Sequence, residues 1–101
     1  MLPAFTSEAK IELAEIVTFL VEQAGVAVAR KVIGSIKSGC AFLNQTPGAG
    51  HVREDLTDKA VRFWPIYSYL VVYDPIPQPI RILRVLHGSR DVATIVDELP
   101  N

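Results

Sequence analysis

A chain of 101 residues, half of them apolar and with a formal charge of -1, has material for one folded core and is too hydrophobic for a disordered tail. That charge argues against wholesale attraction to nucleic acid. The single cysteine, Cys40, excludes an intrachain disulfide, and no Cys/His pair has zinc-ligand spacing, so a reducing compartment and no structural metal are expected.

Residues 2–5 are read as a short first strand. Thr6 or Ser7 can then cap a helix whose first turn carries Glu8, favourable at the positive end of the helix dipole. Leu13, Ile16, Val17, Leu20, Val21 and Ala24 recur at intervals of three and four, which predicts a helix to about Gln23. Glu12, Glu15 and Glu22 are assigned to its solvated face. Gly25 can take the left-handed conformation that ends a helix, and Ala29, Val32, Ile33, Ile36, Cys40 and Leu43 continue the periodicity. So short a break predicts an antiparallel helical hairpin.

Thr46-Pro47-Gly48-Ala49-Gly50 stops the second helix, and a polar loop runs to Asp58. Lys59 to Trp64 reads as a short strand, with Pro65 and Ile66 leading into the next. Tyr67 to Tyr73 alternates, placing Tyr67, Tyr69, Val71 and Tyr73 on one face. Pro75, Pro77 and Pro79 lack backbone donors, so the chain must turn before residues 80–87 form the partner strand. Residues 92–98 can add a short helix. These elements predict a small α+β domain spanning 1–101, with an N-terminal helical hairpin on one face of a mostly antiparallel sheet.

The longest apolar runs are strand-length, short of the ~20 residues of a membrane-crossing helix. The first residues show no basic stretch ahead of an apolar one, so no export signal and no membrane insertion are expected; the cytoplasm is the expected compartment. Charge is unevenly spread: residues 1–58 hold five bases and seven acids, whereas 79–90 hold Arg81, Arg84 and Arg90 with no acid. Arg81 and Arg84 differ by an odd interval and point to opposite faces of a regular strand unless a bulge intervenes. His87 has no nucleophile or carboxylate spaced to orient it for catalysis, and Asp91 is placed to pair with it. Gly48-Ala49-Gly50 lacks the residues that make a phosphate cradle. No catalytic set and no cofactor follow from these residues.

Four places resemble the ParE/RelE toxin superfamily: Ala9, Leu13 and Ile16 in the first helix; Pro47-x-x-Gly50 and Asp55-Leu56 in the loop; Arg62-Phe63 before Tyr69-Leu70-Val71-Val72-Tyr73; and Ile82 through Asp91 at the end. The last is close to the ParE-type ending. The resemblance implies a ParE-like toxin of a type II toxin-antitoxin system, of the plasmid stabilisation family. Its partner would be a cognate small antitoxin with a DNA-binding N-terminal part, and the toxin itself would not bind DNA sequence-specifically. It further implies DNA gyrase as target, with a RelE-like ribosome-dependent mRNA endoribonuclease as the alternative. The nuclease reading is weakened because Leu70 and Val96 stand where that group carries an arginine and a tyrosine. Arg62, Arg81, Arg84, His87 and Arg90 are the candidate target- or antitoxin-binding residues. An apolar groove left by the helices is expected to take an amphipathic antitoxin helix.

Overall fold

The structure, a computed structural model, describes residues 2–99. Strand β1 (Ala4–Phe5) leads into helix α1 (Ser7–Ala24), whose start is fixed by Thr6. The Thr6 hydroxyl accepts from the Ala9 N–H at 3.1 Å and donates to the Leu83 carbonyl at 2.7 Å, so one side chain both caps the helix and ties it to the sheet. Gly25, at φ 94°, ends α1 by donating to the Leu20 and Val21 carbonyls and starts α2 (Val26–Gln45). A 3-10 turn, Pro47–Ala49, follows.

Strands β2 (Arg62–Ile66), β3 (Tyr69–Asp74) and β4 (Arg81–His87) form an antiparallel meander, and β1 pairs parallel to β4, giving the order β1-β4-β3-β2. Helix α3 (Val92–Asp97) closes the described chain. The expected α+β architecture is the one observed. The boundaries of β2 and β3 differ from the expectation: the first lies at 62–66 instead of 59–64, and Tyr67 and Ser68 form the turn between strands. Pro65 sits inside β2 without breaking the ladder, because β2 is an edge strand. On that edge the Phe63 backbone pairs with His51 at 2.8 and 2.9 Å.

The sheet is covered on both faces, which explains why Val71, Val72 and Tyr73 are all buried. Ala9, Ile16, Ile36, Cys40 and Leu43 pack the helices onto Tyr69, Val71, Tyr73 and Ile82. Val72, Leu83 and Leu86 meet Val61, Phe63, Val92 and Val96 on the far side. Each large aliphatic group so buried contributes roughly 1.5–3 kcal/mol, enough to offset the two glycines inside α2. Gly39 sits close against the sheet: a Cβ there would meet Ile66 Cδ1, a side-chain tip, at 2.5 Å and would have to displace it.

A register shift between Val72 and Tyr73 makes Leu83 the additional residue of β4. Before it Ile82 faces the helices; after it Val85 does, although the two are three apart. This bulge decides where the arginines of the strand go.

Candidate functional site

The end of the sheet where β2 turns into β3 and β4 runs out carries a cleft of about 380 Å³ between the strands and α1. Tyr69, Val85 and His87 come from the strands, Ser89 and Arg90 from the loop after β4, and Glu12, Glu15, Ile16 and Phe19 from α1. Two candidate residues, His87 and Arg90, thus share one site. Tyr69 meets the His87 ring edge-on with centroids 5.5 Å apart, and Phe19 is 55 % exposed at the rim. The His87 Nδ1 accepts from the Ser89 N–H at 3.1 Å and lies 2.6 Å from the Ser89 hydroxyl, leaving Nε2 to carry the ring proton. Asp91 does not pair with His87 as expected. Its carboxylate caps α3, accepting from the Thr94 N–H and hydroxyl at 3.3 and 2.8 Å, and these bonds hold it below the usual carboxylate range.

Glu12 corrects the sequence reading most sharply. Instead of facing solvent, it is buried between α1 and β4 at 7 % exposure. One oxygen accepts from Arg84 Nε and Nη2 at 2.9 and 2.7 Å, and the other from the Val85 N–H at 2.9 Å. The hydrogen bonds from Arg84 to Glu12 lift the guanidinium further above its ordinary value. Glu12 lies three residues after Ala9 and four before Ile16, on the buried stripe itself. That spacing was the signal available in the sequence for the burial of Glu12; its pairing with Arg84 was not legible there.

The bulge brings Arg84 and Arg81 to one cleft, of about 260 Å³, with Thr6, Glu8, Ile95 and Glu98. They were expected on opposite faces unless a bulge intervened. Arg62 is half-buried, and its guanidinium donates to the Gly50 carbonyl at 2.8 Å and to that of Gly48 at 3.4 Å. Tyr73 clamps the same loop from beneath: its hydroxyl donates to the Pro47 carbonyl at 2.6 Å and accepts from the Gly50 N–H at 2.9 Å. Arg62 and Arg84 are therefore engaged within the fold. Arg81 and Arg90 have no side-chain partner among the described residues.

A third surface runs along the seam between α1 and α2. Leu2, Phe5, Leu13, Val17 and Ile33 line a largely apolar groove of about 490 Å³ rimmed by Lys10 and Lys37. It continues past Val17 and Ile33 to Val21, Val26 and Arg30. No acidic residue lines either stretch. Cys40 lies beneath in the core, where burial pushes its thiol up to about 12 and suppresses thiolate chemistry. Among the described residues no cluster of histidine, cysteine or carboxylates could hold a metal, and no helix is long and apolar enough to cross a membrane.

Residues 4–92 match the family model described as ParE toxin of type II toxin-antitoxin system, parDE. A search of curated proteins gives no match. Among solved structures, a chain from the chromosomal ParDE toxin-antitoxin system of P. aeruginosa superposes with a TM-score of 0.73. It is 22% identical and the match covers 86% of this chain and 95% of that one, a likeness of fold.

Proposed function

The chain belongs to the ParE toxin family of type II toxin-antitoxin systems, and we propose that it arrests growth by binding DNA gyrase and is neutralised by a cognate antitoxin in the cytoplasm. The observation that carries a binding mechanism is the state of the cleft beside α1. Its buried carboxylate, Glu12, has both oxygens occupied by Arg84 and Val85, so it is not available as a general base. Arg90, by contrast, keeps its donors for a partner, and an arginine with free donors at an aromatic rim is the chemistry of a protein contact.

The helical seam supports the antitoxin part of the reading. An amphipathic segment can lay its apolar side into the groove and set carboxylates against Lys10, Arg30 and Lys37. Neutralisation then needs no contact with the His87 and Arg90 cleft. The test is purified gyrase in a supercoiling assay with this chain alone and with the small protein encoded beside it. Inhibition relieved by the partner supports the reading. Full supercoiling at toxin in molar excess over gyrase removes gyrase as the target.

A further inference from the structure

Tyr67 is the only non-glycine residue with positive φ among the described residues, at 54°. It is the first residue of the two-residue turn joining β2 to β3, a position where glycine or asparagine relieves the contact between Cβ and backbone that an L side chain suffers. A tyrosine here costs stability, and the core gains nothing in return, since the residue is 61 % exposed. Strain of this kind persists where another requirement holds the residue in place.

The surroundings identify that requirement. The Gly88 N–H donates to the Ser68 carbonyl at 2.8 Å, which seats the turn against the loop bearing Ser89 and Arg90. The exposed Phe19 and the unpartnered Arg90 line the 380 Å³ cleft, and the exposed Tyr67 stands in the adjoining turn, which the Ser68 carbonyl ties to the loop that bears Arg90. Tyrosine and arginine beside an apolar slot are the residue types that dominate protein interfaces.

We infer that this end of the sheet is the target-contacting surface, with Tyr67 as its anchor, and that the occupant is a protein segment carrying a carboxylate next to an apolar side chain. Arg90 and the Nε2–H of His87 supply donors for the carboxylate, while Ile16, Phe19 and Val85 wall the slot for the apolar group. Glu15, on the same wall and without a partner among the described residues, leaves the donors of Arg90 and His87 enough for a single carboxylate but repels a chain of phosphates, which disfavours a nucleic-acid backbone. The surface is separate from the seam assigned to the antitoxin. This inference rests on the reading of the chain as a toxin with a protein target.

The test replaces Tyr67 with Asn, which accepts positive φ, and compares Tyr67→Asn and Arg90→Ala with the parent. Growth arrest, inhibition of purified gyrase, antitoxin capture and thermal midpoint are read for each. The expected result for Tyr67→Asn is a midpoint at or above that of the parent, unchanged antitoxin capture, and at least a tenfold loss of growth arrest and of gyrase inhibition. Arg90→Ala should lose activity likewise. Undiminished growth arrest by Tyr67→Asn overturns the anchor, and a lowered midpoint overturns the strain argument. A single-stranded oligonucleotide that binds the parent and is released by either substitution overturns the protein occupant. If the parent arrests growth without touching gyrase, the gyrase reading fails, and loss of arrest in Tyr67→Asn still supports the surface.

Discussion

Replacing Glu12 with Ala removes a carboxylate whose side chain is 9% exposed and which receives three hydrogen bonds. The Val85 N–H is then left in the core without an acceptor, a cost of about 1–3 kcal/mol. Arg84 loses its partner as well. Breaking a fully buried ion pair costs about 3–5 kcal/mol, but the Arg84 side chain is 21% exposed and can turn toward water, so the pair sits below that range. A total near 3 kcal/mol follows, a large share of the roughly 5–15 kcal/mol that holds a domain together. For a domain of this length the thermal midpoint should fall by about 12–24 °C. Glu12→Gln keeps an oxygen for Val85 and should cost about half as much. Urea unfolding followed by circular dichroism measures both, with an unchanged dependence on denaturant expected. A loss under about 1 kcal/mol for Glu12→Ala, or equal losses for Ala and Gln, would refute the assignment of Glu12 as a buried acceptor tying α1 to β4.

Three other predictions come from the same geometry. Because burial raises the Cys40 thiol from 9.0 in an ordinary setting to about 12, the unfolded chain ionises first as pH rises. Its contribution is intact below about pH 9 and lost toward pH 12, amounting to about 2 kcal/mol by pH 10.5; unfolding of the parent against Cys40→Ala should show that difference, and parallel pH profiles would contradict it. Tyr73→Phe strands the Gly50 N–H and the Pro47 carbonyl and should cost about 1–3 kcal/mol in a denaturant titration, with faster hydrogen exchange confined to the 47–50 loop. Arg62→Ala should lower the unfolding free energy by about 1 kcal/mol through the loss of its bond to Gly50, whereas Arg90→Ala should leave it within about 0.5 kcal/mol and abolish growth arrest. The reverse ranking would exchange their roles.

Most of the fold was legible because its signals are local. The three-and-four periodicity of both helices, Gly25 between them and the alternation read from Tyr67 to Tyr73 each specify an element without help from distant residues, although the strand itself begins at Tyr69. The displaced β2 has a physical cause. Pro65 reads as a strand terminator, yet on an edge its missing donor removes no ladder bond, so the strand runs to Ile66 and pushes the turn onto Tyr67. The site was less legible, since its character depends on pairings between residues far apart in the chain. Glu12 and Arg84 are 72 positions apart, and no helix-face argument links them. The bulge that places Arg81 and Arg84 in one cleft depends on the register between β3 and β4, which the residue types of β4 alone do not encode. His87 and Arg90 were identified from their place at the end of the last strand, and the structure adds the wall they share, Phe19 and Glu15 of α1.

The central claim is that the chain poisons growth by binding gyrase. Pulse labelling of DNA and protein synthesis within minutes of inducing the chain alone in a bacterial host tests it most directly. Early loss of DNA synthesis with protein synthesis still running is the predicted result. Early loss of protein synthesis while DNA synthesis continues would contradict the claim and point to cleavage of messenger RNA.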